Sequence, residues 1–325
     1  MKKLFLPAVF LIGVAAAAIL TLHAGFAGVV QTLNQIGWRG LGAVCAIQLV
    51  TLTLCGLAWR AVADDVSFAA CTGARWIRDG SSNLVAFIPA IGEVISARAL
   101  AILGRTGSQA AAASTVVDVA AETLSQALYA AFGFIVLVNR LDPGAARLWL
   151  GITLVAILPL FALFALSRHE GALAFAERVG ARMAGVLGFK EGTAFSGLAQ
   201  AVDQLNKQPL RVAASTLLHL AAWPMGAIAV WAAAQGLQHP LRLMDCVILE
   251  SLAYAARSAA FLVPWGAGVQ EGTFVGVGAL VAVDATTAIG LSLALRARDL
   301  VFGAPSLIFW YLAEGRRFWT RRPQA

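Results

Sequence analysis

The stretch Pro264-Trp265-Gly266-Ala267-Gly268-Val269-Gln270-Glu271-Gly272 sets a helix breaker, three glycines and a carboxylate inside surroundings apolar enough for a bilayer. Backbone that leaves the helix at membrane depth is tolerated only where protein or a polar cavity satisfies its free N–H and C=O groups, because lipid offers them no partner. The stretch is therefore a candidate site, and the fold must enclose it. A weaker echo stands upstream at Pro89-Ala90-Ile91-Gly92-Glu93.

Those surroundings are apolar throughout. With 60% hydrophobic and 13% charged residues over 325 positions, the composition excludes a soluble domain and predicts an all-α, polytopic membrane protein. Lys2 and Lys3 open the chain, and Arg316, Arg317, Arg321 and Arg322 close it, which predicts cytoplasmic termini and an even number of crossings. The net charge of +7 then reports topology and contact with anionic headgroups, and no nucleic-acid partner is expected. Cys45, Cys55, Cys71 and Cys246 form no C-x-x-C pair, and His23, His169, His219 and His239 are scattered. No metal or cofactor spacing is present, so the cysteines read as small buried hydrophobes and His219 as a core or interfacial side chain.

Taken in order, residues 4–23 form an apolar run long enough for a first span, and about 41–63 a second. The polar stretch 61–82 reads as an interfacial turn or short helix. Residues 83–104, with Pro89, Gly92, Glu93 and Arg98, are either a broken span or a re-entrant hairpin. A long helix is expected at about 108–138 and a span at about 148–167. Phe195, Leu198, Val202 and Leu205 recur at helical spacing within a polar stretch, which predicts an amphipathic helix on the membrane surface. Spans or helices follow at about 210–236, 242–263 and 286–313. Counting one interrupted segment as re-entrant gives about eight spans in a single membrane domain, 1–325. Two halves, 1–167 and 210–315, are joined by the amphipathic linker 168–209. From Glu93 to Asp118 is 25 residues, and from Glu271 to Arg296 also 25, which makes an internal repeat a candidate, with chance similarity of Ala/Gly-rich segments as its rival.

Ten charges fall inside the predicted membrane segments: Glu93, Arg98, Asp118, Glu122, Glu250, Arg257, Glu271, Arg296, Arg298 and Asp299. Each costs about 2.5–3.5 kcal/mol at a lipid-exposed helix centre, so they must face inward or lie near an interface. Asp118 and Glu122 share a helix face; so do Glu250 and Arg257, and Arg296 and Asp299 are spaced to pair on one helix. A static salt-bridge lattice is one reading. The other is a polar pathway: Arg257, Gly266, Gly268, Glu271, Arg296 and Arg298 around a lipid headgroup or phosphate, with Glu93, Asp118, Glu122 and Asp299 handling charge balance, and Arg78 as a further match. Gly272-x-x-x-Gly276 and Ala110–Ala113 read as close-packing helix faces.

The Pro264–Glu271 stretch, Pro89-x-x-Gly92-Glu93 and Arg296-x-Arg298-Asp299 resemble the flippase-like membrane region of lysylphosphatidylglycerol synthases, the MprF-like family. Ser114-Thr115-Val116-Val117-Asp118 and Glu122-Thr123-Leu124-Ser125-Gln126 look most like its hopanoid-associated, HpnL-like branch. The resemblance covers about residues 40–312. It implies movement of a lipid, with hopanoids as the branch-level expectation, between leaflets of a bacterial inner membrane, with membrane lipids and lipid-biosynthesis or export proteins as partners. It implies no lysyl transfer, since those members carry an additional soluble catalytic domain. A structural or assembly role, or a membrane-embedded enzyme using Glu93 and Glu271 as acid and base, are the other classes open to the sequence.

Overall fold

The computed structural model describes residues 26–320 except 64, 85–89, most of 142–168, 187–196, 238–239 and 261–262. Every regular element among the described residues is helical: α1 Phe26–Val62, α2 Phe68–Leu84, α3 Ile91–Leu103, α4 Ser108–Val138, α5 Glu170–Val186, α6 Leu198–Asn206, α7 Pro209–Ala234, α8 Leu243–Ala259, a 3-10 turn Pro264–Gly266, α9 Val269–Leu280 and α10 Ala285–Thr320. Among them α1, α4 and α7 are long and apolar enough to cross a membrane, so the chain is a membrane protein. The expected spans at 4–23 and 148–167 lie outside, or mostly outside, the described residues.

The second span runs to Val62 as expected, and helix also precedes it from Phe26: Gly37, at φ 57°, a conformation open to glycine for lack of a Cβ, kinks α1 just before Trp38, which is 87% exposed. Two expectations need correction. Residues 68–84, expected as an interfacial turn or short helix, form a helix of 17 residues, but one packed inside the protein, whose Arg75 and Arg78 are buried because carboxylates on α4 receive them. The amphipathic helix α6 does not spend its apolar face on lipid: Leu198 and Val202 are buried in the protein, where α6 packs on α4.

The helices α1–α4 and α7–α10 run through the same series of lengths. A long helix leads to one of 17 residues (α2, α8), then one of 13 or 12 (α3, α9), then one of 31 or 36 (α4, α10). Ala90 and Gly268, just before α3 and α9, are both left-handed at φ 60° and 76°. Arg105 and Ala282, in the four-residue turns that follow, are left-handed as well. Neighbours also recur on exchanging one series for the other: α2 packs on α10 as α8 does on α4, and α1 on α10 as α7 on α4. The helices α1 and α7 pack on each other with Gly40 against Ala233 and Gly236 against Gln35 and Ile36, and so run antiparallel. The two series therefore point in opposite directions.

The long helices join two apolar cores across a polar layer. One core takes Trp59, Ile77, Ile95, Ala111–Ala113, Val117 and Val212; the other takes Val44, Tyr129, Leu137, Val230, Leu249, Phe274, Ile248 and Leu295. Between these stretches α4 carries Asp118, Glu122, Ser125 and Gln126, α7 carries Ser215 and His219, and α10 carries Arg296, Arg298 and Asp299, all buried. Apolar burial at both ends fixes the helices, and the charges in the layer between them must find partners there.

Candidate functional site

The polar layer divides into two clusters. In the first, Arg75 and Arg78 stand three apart on α2 and so face one side, towards α4, where Asp118 and Glu122 stand four apart. Arg75 Nη2 donates to Glu122 Oε1 at 2.6 Å, and its Nε lies 2.9 Å from Asp79 Oδ1. Arg78 reaches three carboxylates: Glu122 Oε2 at 2.7 Å, Asp118 Oδ2 at 3.4 Å and Glu93 Oε1 at 3.6 Å. From α7, His219 Nε2 lies 2.9 Å from the other Asp118 oxygen. The close approach of α3 to α2 uses Gly92, where a Cβ would stand 1.8 Å from Ser82 Oγ.

In the second cluster Glu271, in the first turn of α9, folds back to accept from its own Gly268 N–H at 2.9 Å. It also accepts from Arg296 Nε at 2.9 Å, Arg296 Nη2 at 3.3 Å and Ser292 Oγ at 3.3 Å. Arg296 donates besides to the Trp265 and Gly266 carbonyls and lies over the Trp265 ring at 4.6 Å from its centroid. The backbone carbonyls freed by the 3-10 turn are thus satisfied by one guanidinium, which answers the problem the glycine-rich stretch poses. Trp265 is held left-handed at φ 58°, a strained setting for a bulky residue that this clamp sustains. Gln270 accepts from Arg257 Nη1 at 3.0 Å and donates to Ser292, and Arg257 Nη2 reaches Asn83 at the end of α2 at 3.2 Å. Arg257 therefore ties the two interruptions to each other.

The structure brings Gly266, Gly268, Glu271, Arg296 and Arg257 into one assembly, as the sequence suggested, and separates others. Arg296 does not pair with Asp299; Arg298 does, at 2.7 Å, because Arg296 is drawn to Glu271 and the turn carbonyls. Glu93 and Glu271 take different arginines. Arg98 pairs with Glu314 at 3.2 Å on the far part of α10. Glu250 is buried against α7, where Gly226 leaves it room: a Cβ there would stand 2.8 Å from Glu250 Oε1. Arg75, Asp79, Asn83 and Gln270 were not singled out from the sequence, and His219 was read only as a core or interfacial side chain. The i,i+3 arginines followed by an aspartate, and a histidine in the middle of an apolar span, were the available signals.

A small cleft between α1, α2 and α10 is lined by Gln48, Trp76, Asp79, Asn83, Arg298 and Asp299 among others. It lies where the two clusters meet. Asp299 Oδ2 in its wall is buried without a hydrogen-bond partner, while Asp79 is partly exposed. On the exchanged pair of helices the corresponding contact is filled: Gln126 of α4 donates to Ser258 at 2.7 Å and to the Tyr254 carbonyl, and Trp223 of α7 donates to Ser125 and stands edge-on to Tyr254. Asp118, Glu122 and His219 place ligand atoms within 4.8 Å of one another.

A family model described as the Lysylphosphatidylglycerol synthase TM region matches residues 9–305. No curated protein and no solved structure matches the chain.

Proposed function

Because the chain belongs to the family of the lysylphosphatidylglycerol synthase transmembrane region, whose membrane setting ties it to lipids, we propose that it is a lipid translocase that carries a polar headgroup through the layer between the two cores. The observation that carries the reading is the pair of oppositely directed helix series with a polar cleft on α2/α10 and a filled contact on α4/α8. Oppositely directed repeats around a central polar site are a transporter's usual construction. On this reading α2/α3 and α8/α9 are re-entrant hairpins, too short to need a full crossing, that enter from opposite faces and meet through Arg257 and Asn83. Opening α4/α8 while closing α2/α10 would present the cleft to the other leaflet. The lipid leaves chemically unchanged, so no enzyme activity is proposed. The site is the inner membrane with both termini cytoplasmic, and a hopanoid is the first cargo to try.

Interior arginines 257, 296 and 298 are each already paired with protein groups, which favours a second reading, an assembly partner of lipid-biosynthesis enzymes with a static polar lattice. Mass spectrometry of lipids retained by the purified protein separates the two. Translocation predicts one enriched lipid class, lost in Arg298→Gln and Glu271→Gln at matched stability, and movement of that class between leaflets of vesicles carrying the protein. Retention that mirrors the bulk membrane and ignores both substitutions would sink the translocase.

A further inference from the structure

The two clusters differ in charge. In and beside the second, Arg296 pairs with Glu271 and Arg298 with Asp299, while Arg257, held by Gln270 and Asn83, and Glu250 lie within electrostatic reach of each other, so three guanidiniums stand near three carboxylates. The first sets two guanidiniums, Arg75 and Arg78, against four carboxylates, Asp79, Glu93, Asp118 and Glu122. The difference originates at one place in the series. Glu93 and Glu271 both stand in the first turn of a short helix after a left-handed residue. Twenty-five residues on, the second series has Arg296, which neutralises Glu271, and the first has Asp118, a further negative charge. Asp79 and Glu93 are partly exposed, so water screens part of this excess, and a cation beside the buried Asp118 and Glu122 would offset the rest.

Asp118 is wholly buried, and His219, 1% exposed, is the ionisable group at its free oxygen. A divalent ion fits poorly although the ligand spacing allows one, because both Glu122 oxygens already face guanidiniums at 2.6 and 2.7 Å, and these would repel it. A proton needs no further ligands. We propose that the Asp118–His219 pair is a proton-binding site, taking one proton from water on one side of the membrane and returning it to water on the other. The pair passes between net charge −1 and zero, with no other bond made or broken. The proton resides between α4 and α7, so its presence favours the contact of those two helices, and α4 is also the helix whose seam with α8 is filled here. Its role in driving movement rests on the translocase reading; its existence does not.

The groups facing the pair are Glu122 beside it on α4, Arg78 from α2 with the Cys71 thiol, and the Cys55 thiol from α1. From α8, Tyr254 stands against Trp223 and Glu250 against Gly226, both further along α7 than His219. On α6, Asp203 and Lys207 pair with each other at the surface.

The test uses the full chain carrying His23→Gln, His169→Gln and His239→Gln, which leaves His219 as the one imidazole, labelled with 15N-histidine in phosphatidylethanolamine–phosphatidylglycerol bilayers. Its ring nitrogen signals are followed from acid to alkaline pH. The expected result is a single-proton titration of His219 within that range, with proton affinity weakened tenfold or more by Asp118→Asn. A ring that keeps one protonation state throughout, charged or neutral, overturns the proposal, and so does a titration that Asp118→Asn leaves unmoved. Because the first of these outcomes is read without touching Asp118, a poorly folding Asp118→Asn variant does not protect the proposal. Titration without lipid movement would leave the proton site standing and remove the translocase. Lipid movement without titration would do the reverse.

Discussion

The helices α1–α4 and α7–α10 use one scaffold and solve the problem of buried charge in two ways. In α7–α10 a single guanidinium, Arg296, serves Glu271, two carbonyls and an aromatic face, so the cluster is specific and has little redundancy. In α1–α4 each arginine is shared among carboxylates, and Glu122 and Asp118 each have a second partner. The difference teaches that matching backbone frames do not require matching chemistry: one series is built to hold a broken helix in shape, the other to tolerate a change of charge.

The largest expected effect tests the lack of redundancy. Glu271→Gln leaves Arg296 buried without its counter-charge and should cost about 3–5 kcal/mol in reversible unfolding from mixed micelles. Asp118→Asn should cost clearly less, about 1–3 kcal/mol, because Arg78 keeps Glu122 and Glu93. Equal losses would erase the distinction between the clusters. Pairing Glu271→Leu with Arg296→Met should recover part of the single-variant loss, a coupling of about 1–3 kcal/mol in a double-mutant cycle, though not all of it, since the turn carbonyls lose their donor.

Next come the helix seams that relate the two series. A Cβ on Gly80 would stand 1.9 Å from Ser306 Oγ, and one on Gly133 1.8 Å from Ser251 Oγ. Gly80→Ala and Gly133→Ala should each cost about 1–3 kcal/mol through overpacking, read from the same unfolding curves. A large loss in one seam with none in the other would show that only one of them is closely packed. The smallest effect lies outside both series: Lys207→Ala, which removes the exposed pair with Asp203, should change stability by no more than about 0.5 kcal/mol.

Much of the fold was legible because the bilayer restricts what an apolar chain can do. Length and periodicity placed α4 at 108–138, and the Pro/Gly chemistry placed an interruption from Pro264, although helix resumes at Val269, before the expected end at Gly272. The site was legible where local sequence forced it: Gly266, Gly268 and Glu271 occur together in one stretch, and Arg296 lies at a repeat distance. The rest depended on partners far away in the chain. Arg75 and Arg78 looked like charges at an interface because their segment is polar by itself; only α4, forty and more residues on, brings the carboxylates that receive them in the interior. The helix α6 looked destined for the membrane surface because a periodic apolar face does not say whether lipid or protein covers it.

What the sequence determined alone is an all-helical membrane chain with two broken segments and charges that cannot face lipid, because hydropathy and backbone satisfaction are local properties. The tertiary structure decided which charge meets which: Arg296 with Glu271 and not Asp299, Arg78 among three carboxylates, His219 on Asp118. Those pairings are set by the antiparallel fit of α1 on α7 and by the exchange of neighbours between the two series, since a buried ion pair exists only where packing from two distant segments places both partners within reach.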